Sequence, residues 1–139
     1  MKIDDKDCDW ATEFDVSGFI SAVVKQDADA LRNFFTSDAL VFWHDSNEQF
    51  TVPEYIRANC EYPGSWDGKI QRVEKTDAGL VIVTRIFSEE QSLHVTAFLK
   101  LENGRISRLD EYYSDCGEVP QWRQNMKIGK KIIGGKSDE

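Results

Sequence analysis

The chain has 139 residues, 40% of them hydrophobic and 12% aromatic, which is enough for one domain with a packed core. Its formal net charge of -8 comes from 25 acidic and 17 basic side chains. Proteins that bind nucleic acid usually present a basic face, so this balance argues against a nucleic-acid partner. We expect a single domain over 1–139, with a disordered tail at 135–139.

Cysteine spacing and the N-terminal sequence limit the cellular context. Cys8, Cys60 and Cys116 are odd in number and far apart, so they predict neither a disulfide framework nor a zinc site. The segment MKIDDKDCDW lacks the apolar core of a signal peptide, and no run approaches the roughly 18 apolar residues of a membrane span. We expect a cytoplasmic protein that does not act at a membrane.

Two helices are predicted in the first quarter of the chain. Apolar residues recur at helical spacing over 10–24, where Asp9 or Thr12 is placed to cap the first turn. A shorter helix is predicted over 28–35, with Asp27 at its start. A third helix begins in TVPEYIRANC, because its first threonine and the glutamate three residues later form a capping box.

The stretch VFWHDSNEQF is predicted to be a short hairpin that turns at the dipeptide SN. A two-residue turn there pairs Trp43 with Phe50, and the alternation of side chains sends Trp43 and His44 to opposite faces. Asp45, at the turn, is expected to bind backbone groups rather than to act in catalysis. The adjacent tryptophan, histidine and aspartate therefore do not predict one catalytic cluster.

After YPGSWDG the hydrophobic period changes to two, which is typical of strands. Helices followed by several strands predict an α+β domain in which helices cover one face of a curved antiparallel sheet. The four predicted strands form a meander and span 69–75, 80–88, 92–101 and 105–114.

The dipeptide formed by Asn103 and Gly104 is the strongest hairpin signal in the chain, because both residues tolerate the positive φ of a type I′ turn. Counting outward from this turn sets Ala97 opposite Asp110 on the apolar face that lies under the helices. A carboxylate next to a small residue in apolar surroundings indicates a small-molecule cavity. The same count puts Arg108 and Tyr112 on this inner face, and His94, Phe98 and Tyr113 on the outer face.

The element order, together with FFTSDALVFWHD and LENGRISRLDEYYSD, resembles the nuclear-transport-factor-2-like superfamily and its SnoaL-like, polyketide cyclase-like group over about residues 10–126. The resemblance implies a cone-shaped α+β fold with a pocket between the sheet and about three helices. It also implies a homodimer built on the outer face, here carrying His94, Tyr113 and Phe98. Characterised members act on small molecules with a pocket carboxylate, and no metal or other cofactor is expected.

Two functions are compatible with these features. The first is an acid/base enzyme of the cyclase, isomerase or dehydratase type that acts on a small hydrophobic carbonyl compound. The second is a non-catalytic module that binds a ligand or dimerises, in which Arg108 and Asp110 form a salt bridge. In the family, the acid/base residue of this strand could correspond to Asp110 or to Glu111, and the hairpin register selects Asp110.

The candidate site follows from that register. The predicted catalytic residues are Asp110, Tyr112 and Tyr55, with the hydroxyls or the indole N–H of Trp43 as donors to a developing enolate. The predicted substrate-binding residues are Trp43, Arg108, His44, Phe50 and Ala97.

Overall fold

The computed structural model describes residues 14–132. The part of the predicted first helix before residue 14, the proposed caps Asp9 and Thr12, and the tail at 135–139 lie outside the described residues. None of the described helices is long and apolar enough to cross a membrane. These helices are α1 Val16–Val24, α2 Ala28–Arg32, α3 Val52–Cys60 and α4 Gln121–Gln124.

Six strands form one mixed, curved sheet that does not close, in the order β2-β1-β6-β5-β4-β3. β1 and β6 run parallel, and all other neighbours are antiparallel. The predicted α+β class and the meander of the last four strands are therefore confirmed. The strands are β1 Phe35–Trp43, β2 Glu48–Thr51, β3 Asp67–Lys75, β4 Gly79–Phe87, β5 Ser92–Glu102 and β6 Arg105–Asp115.

Helices α1, α2 and α3 each begin at a residue whose side chain caps the first turn. Asp27 caps α2 as predicted, and α1 is capped by Asp15, whose carboxylate accepts the Gly18 N–H at 2.9 Å. The capping box of α3 is present, because the Thr51 N–H donates to Glu54 at 2.8 Å and the Glu54 N–H donates back to the threonine hydroxyl. The prediction that α2 continues to residue 35 is wrong, because that residue already pairs with β6.

Helices α1, α2 and α3 cover the inner face of the sheet and close the core, whereas α4 has no buried residue. α1 approaches β3 so closely at Gly68 that a Cβ on this glycine would lie 3.0 Å from Val24 Cγ1 and 3.4 Å from Ile20 Cγ2. A glycine at this point lets the helix pack against the strand. The largest fully buried side chains include Tyr55, Phe19, Leu31 and Leu109.

The first hairpin turns differently from the prediction. Trp43 pairs with Glu48, so the loop contains four residues, 44–47, and Asn47 adopts a φ of 59°. Trp43 and Phe50 are consequently diagonal neighbours and not a direct pair. They still share one face, with ring centroids 4.7 Å apart, because the shift changes neither side chain's face.

The last hairpin contains a β-bulge that changes which residues face the core. The turn at Asn103 and Gly104 has the predicted positive φ angles of 53° and 79°. Beyond it, the pairing shifts between Lys100 and Leu101, so that Ser107 is an extra residue on β6. Every later residue of β6 is moved by one position, and its side chain points to the face opposite to the one predicted.

Candidate functional site

A cavity of about 240 Å³ lies between the inner face of the sheet and the C-terminal ends of α1 and α3. It is partly open to solvent. Its volume is below the roughly 300–1,000 Å³ of pockets that hold drug-sized ligands, so it fits a small molecule. Its lining includes Gln26, Trp43, Asp45, Tyr62, Trp66 and Tyr113.

Glu111 is the buried carboxyl group next to this cavity. It faces the core on β6, opposite Ala97 on β5, and only 6% of its surface is exposed. The Trp43 indole N–H donates to Glu111 Oε1 at 2.9 Å, and the Tyr113 hydroxyl donates to the same oxygen at 3.3 Å. Both donor side chains line the cavity, so the Glu111 carboxyl lies directly behind the part of the wall that they form.

Burial controls the protonation of Glu111. Transfer of the carboxylate out of water raises its pKa, and the hydrogen bonds from Trp43 and Tyr113 offset part of this effect. The resulting pKa is about 7. Because both donors converge on Oε1, the other oxygen can carry the proton. Glu111 can therefore exchange a proton near neutral pH, as general acids and bases do.

Two tyrosines adjoin Glu111. Burial, and then the charge of Glu111, raise the pKa of Tyr55 and of Tyr113 well above the usual value. Both hydroxyls are therefore protonated at neutral pH, and that of Tyr113 donates to Glu111. Tyr55 is only 1% exposed and packs between Phe35 and Trp43, whereas Tyr113 lines the cavity.

Asp45 fixes the position of Tyr113. Its carboxylate accepts the backbone N–H of Tyr113 at 2.9 Å, across from the loop after β1 to β6. The expectation that Asp45 binds backbone is confirmed, although its partner lies on another strand and not in its own turn. The Asp45 side chain also forms part of the cavity lining.

The prediction that Asp110 faces the apolar side is wrong, because the bulge turns it to the outer face. Arg108 Nε donates to Asp110 Oδ2 at 2.8 Å, and His44 Nε2 lies 2.8 Å from Asp110 Oδ1. Burial opposes the ionisation of Asp110, but the bonds from Arg108 and His44 outweigh it and hold the pKa below its usual value. The salt bridge between Arg108 and Asp110 that the sequence allowed is therefore present.

The other residues moved by the bulge lie on the same outer face. Tyr112, predicted on the inner face, stacks on His44 with centroids 4.4 Å apart, and Arg108 lies 4.0 Å from the centroid of the Phe42 ring. Conversely, Tyr113 was predicted on the outer face and lies on the inner one. The prediction that Tyr113 pairs with His94 on the dimer surface is therefore wrong. His94 pairs instead with Ser114.

Of the predicted site residues, Trp43 and Tyr55 surround the buried acid, and Trp43 also reaches the cavity. Ala97 is on the inner face as predicted, but its partner is Glu111. Phe50 is half-buried against Trp43. The outer face carries the remaining ones, Asp110, Tyr112, Arg108 and His44.

Glu111 and Tyr113 are the functional candidates that the selected register missed. A signal for them exists in the sequence, because Ile106 and Leu109 are both apolar but three residues apart. Both are fully buried on one face, which a strand of period two permits only if it contains a bulge. Among the described residues, no group of His, Cys, Asp and Glu side chains has the arrangement of a metal site.

Comparison with known proteins gives a match at the level of the fold. No protein-family model matches the chain, and no curated protein matches it. Among solved structures, a candidate ketosteroid isomerase from Kribbella flavida superposes with a TM-score of 0.71 at 18% identity, over 86% of this chain and 88% of the other. An NTF2-like protein of unknown function from Burkholderia xenovorans gives 0.70 and 18%, over 84% and 91%.

A third structure is a protein with a ketosteroid isomerase-like fold from Catenulispora acidiphila, in complex with trimethylamine. Its TM-score is 0.63 at 14% identity, over 71% of this chain and 84% of the other. A candidate SnoaL-like polyketide cyclase and a further candidate polyketide cyclase have the same fold. The chain thus has the fold of the nuclear-transport-factor-2-like superfamily, as its sequence predicted.

Proposed function

We propose that this protein binds a small, largely apolar carbonyl compound in the cavity and transfers a proton to or from it, with Glu111 as the acid/base group. The observation that carries the proposal is the buried Glu111 carboxyl, which accepts hydrogen bonds from two side chains of the cavity wall. The pKa of about 7 lets this group serve as acid or base at neutral pH.

Tyr113 is the proposed connection between the acid and the ligand. Its side chain lines the cavity and its hydroxyl donates to Glu111. In the proposed step, the C–H bond next to the ligand carbonyl breaks and its proton passes to the Tyr113 oxygen. The hydroxyl proton passes at the same time to the Glu111 carboxylate, and the electron pair forms an enolate.

Solved structures of the same fold are consistent with this class of function. They include a candidate ketosteroid isomerase, two candidate polyketide cyclases and an LEH-like epoxide hydrolase. At identities below 25% they support a small-molecule site of this kind but not one reaction. The trimethylamine bound to the Catenulispora acidiphila protein is consistent with occupants of small size.

Deuterium exchange tests the proposal without a known substrate. A panel of small cyclic and aromatic ketones is incubated in D2O, and the loss of the α-proton signal is followed by NMR. We expect at least one ketone to exchange faster than in buffer, and Glu111→Gln to slow this exchange by about 100-fold or more. The neighbouring Asp110→Asn is the matched control and should keep the rate. Exchange that survives in Glu111→Gln would contradict the role of Glu111.

A second candidate function is ligand binding without catalysis. It is favoured by the fact that Glu111 itself is not part of the cavity lining, so that its carboxyl could serve to hold Trp43 and Tyr113 in place. Ketones that bind in the cavity but never exchange their α-protons would support this alternative over the acid/base proposal.

We also propose that the outer face of the sheet mediates homodimer formation. Phe98 and Tyr112 are 45% and 46% exposed on this face and contact each other edge to face, with centroids 6.0 Å apart. His94 lies on the same face of β5 as Phe98. Paired exposed aromatic rings are typical of protein interfaces.

A further inference from the structure

Four aromatic side chains line the cavity as two edge-to-face pairs. The Trp43 and Tyr113 ring centroids are 5.9 Å apart at an angle of 71°, and those of Tyr62 and Trp66 are 5.7 Å apart at 75°. Trp43 also contacts Phe50 and Tyr55 edge to face. Tyr113, Tyr62 and Trp66 each have a single ring contact among the described residues, which leaves ring faces available on these three side chains. The face of an aromatic ring carries negative electrostatic potential and attracts cations.

The charge of the lining has the same sign as these ring faces. Asp45 is the only charged side chain among the described residues that line the cavity, and none of them is lysine, arginine or histidine. The other polar side chains of the lining are neutral, and besides the four aromatic ones they are Gln26, Ser46 and Asn59. An anionic ligand would therefore meet no compensating charge in the described lining, whereas a cationic ligand would face both a carboxylate and ring faces.

The aromatic rim is held in place by the protein itself. The Gln26 side-chain amide donates to the backbone oxygens of Asn59 at 2.9 Å and Tyr62 at 2.8 Å, which ties the segment after α3 to the end of α1. The Trp66 indole N–H donates to the Pro63 carbonyl at 3.0 Å. Because these bonds are made within the chain itself, they reduce the ordering of the rim that binding requires.

We propose that the cavity recognises a small organic cation, with an alkylammonium group held between the aromatic side chains and Asp45. Trp43 and Tyr113 form the inner wall of this cage, and Tyr62 and Trp66 form its rim. The inference rests on the part of the proposed function that makes the cavity the ligand site, but it does not require proton transfer by Glu111. It specifies the charge of the ligand, which the proposed function leaves open.

Choline and 3,3-dimethylbutan-1-ol are a suitable pair of probes, because they share size and shape and differ in the positive charge on the nitrogen. Isothermal titration calorimetry with the full chain, at fixed ionic strength, gives the two affinities. We expect choline to bind at least 10-fold more tightly than the neutral alcohol. Equal or tighter binding of the alcohol would overturn the inference, while the cavity would still be a ligand site as the proposed function requires.

Substitutions of Tyr62 and Asp45 show whether choline affinity depends on the aromatic ring and the carboxylate or only on apolar contact. Tyr62 is 49% exposed, so its replacement is compatible with folding. Tyr62→Leu should weaken choline binding at least 5-fold, whereas Tyr62→Phe, which keeps the ring, should not. Asp45→Asn removes the charge and keeps an oxygen for the Tyr113 N–H, and it should weaken choline at least 5-fold without changing the affinity for the alcohol. A choline affinity that is unchanged in both Tyr62→Leu and Asp45→Asn would contradict the cage.

The ketone panel distinguishes failure of this inference from failure of the proposed function. If choline does not bind but a ketone of the panel does, the cation inference is wrong and the cavity remains a site for neutral ligands. If choline, the alcohol and all the ketones fail to bind, the inference and the proposed function are both wrong. A circular dichroism spectrum of each variant that matches the unsubstituted protein shows that a lost affinity is not due to unfolding.

Discussion

Asp110 and Glu111 are consecutive residues of β6 whose carboxyl groups lie on opposite faces of the sheet. Asp110 pairs with Arg108 and His44 on the outer face, and its pKa is held below the usual value. Glu111 is buried on the inner face, where the pKa rises to about 7. The two environments give one carboxylate a structural ion pair and leave the other able to gain or lose a proton near neutral pH.

Stability should depend on pH through Glu111. A carboxyl whose pKa is about 7 when folded and near the ordinary 4.5 when unfolded holds its proton more tightly in the native state. Its contribution to stability is therefore complete below pH 4.5 and is lost as the pH rises through 7. Between pH 5.5 and pH 8 this loss amounts to about 2 kcal/mol in the free energy of unfolding.

Glu111→Gln provides the comparison, because glutamine cannot ionise. The free energy of unfolding of both proteins is measured in urea at pH 5.5 and at pH 8. Relative to the unsubstituted protein, the glutamine variant should be about 2 kcal/mol more stable at pH 8 than it is at pH 5.5. Other titrating groups are common to both proteins and cancel in this difference. A difference that stays constant from pH 5.5 to pH 8 would show that Glu111 is already ionised throughout.

Trp43→Phe should raise the pKa of Glu111 further. The indole N–H donates to Glu111 Oε1 and favours the ionised carboxylate, which lowers the pKa. Without this hydrogen bond, less opposes the rise in pKa that burial causes. A hydrogen bond to a charged group is worth enough to move the pKa by roughly one unit. The matched control is Trp66→Phe, since that indole N–H binds the Pro63 carbonyl. The pH midpoint of the Glu111 carboxyl in 13C NMR should rise only in the first variant.

The ion pair on the outer face should have a small effect on stability. The Arg108 side chain is 51% exposed, and exposed pairs are screened by water. We expect Asp110→Asn to lower the free energy of unfolding by less than about 1 kcal/mol, measured in urea at pH 7. Choline affinity should not change in this variant, because Asp110 is not part of the cavity lining. A large loss of ligand binding would place the functional carboxylate on the outer face.

Homodimer formation is expected to depend on Phe98. Phe98→Glu places a charge in the exposed aromatic pair on the outer face and should shift the protein towards the monomer in sedimentation velocity experiments. Tyr62→Glu introduces the same charge at a similarly exposed ring on the rim of the cavity, and it should leave the association unchanged. If Tyr62→Glu dissociated the dimer and Phe98→Glu did not, the interface would instead lie on the side of the sheet that the helices cover.

The sequence predicted those features that depend on a few neighbouring residues. The capping box of Thr51 and Glu54 and the turn at Asn103 and Gly104 have strong local preferences, and both are present. The fold followed from the order of helices and strands. The expectation that Trp43 and Phe50 share one face was also correct, because the longer loop of the first hairpin shifts their pairing by two residues and keeps both on that face.

The identity of the buried acid could not be obtained by the same counting. A single extra residue at Ser107 reverses the face of every later residue on β6, and a count outward from the turn assumes uninterrupted pairing. The bulge lets both Ile106 and Leu109 enter the core. Their burial depends on packing against elements that are distant in the sequence, so a count from the local turn does not predict it. The cavity rim was missed for a related reason, because Tyr62 and Trp66 lie in an irregular segment that has no hydrophobic period.

The most direct test of the account is the titration of Glu111 itself. 13C NMR of glutamate-labelled protein follows its carboxyl from pH 4 to pH 9, and the signal is assigned by its absence in Glu111→Gln. We predict a midpoint near pH 7. A midpoint near 4.5 would show that Glu111 is ionised at neutral pH like an ordinary surface glutamate, and it would contradict its role as the acid/base group.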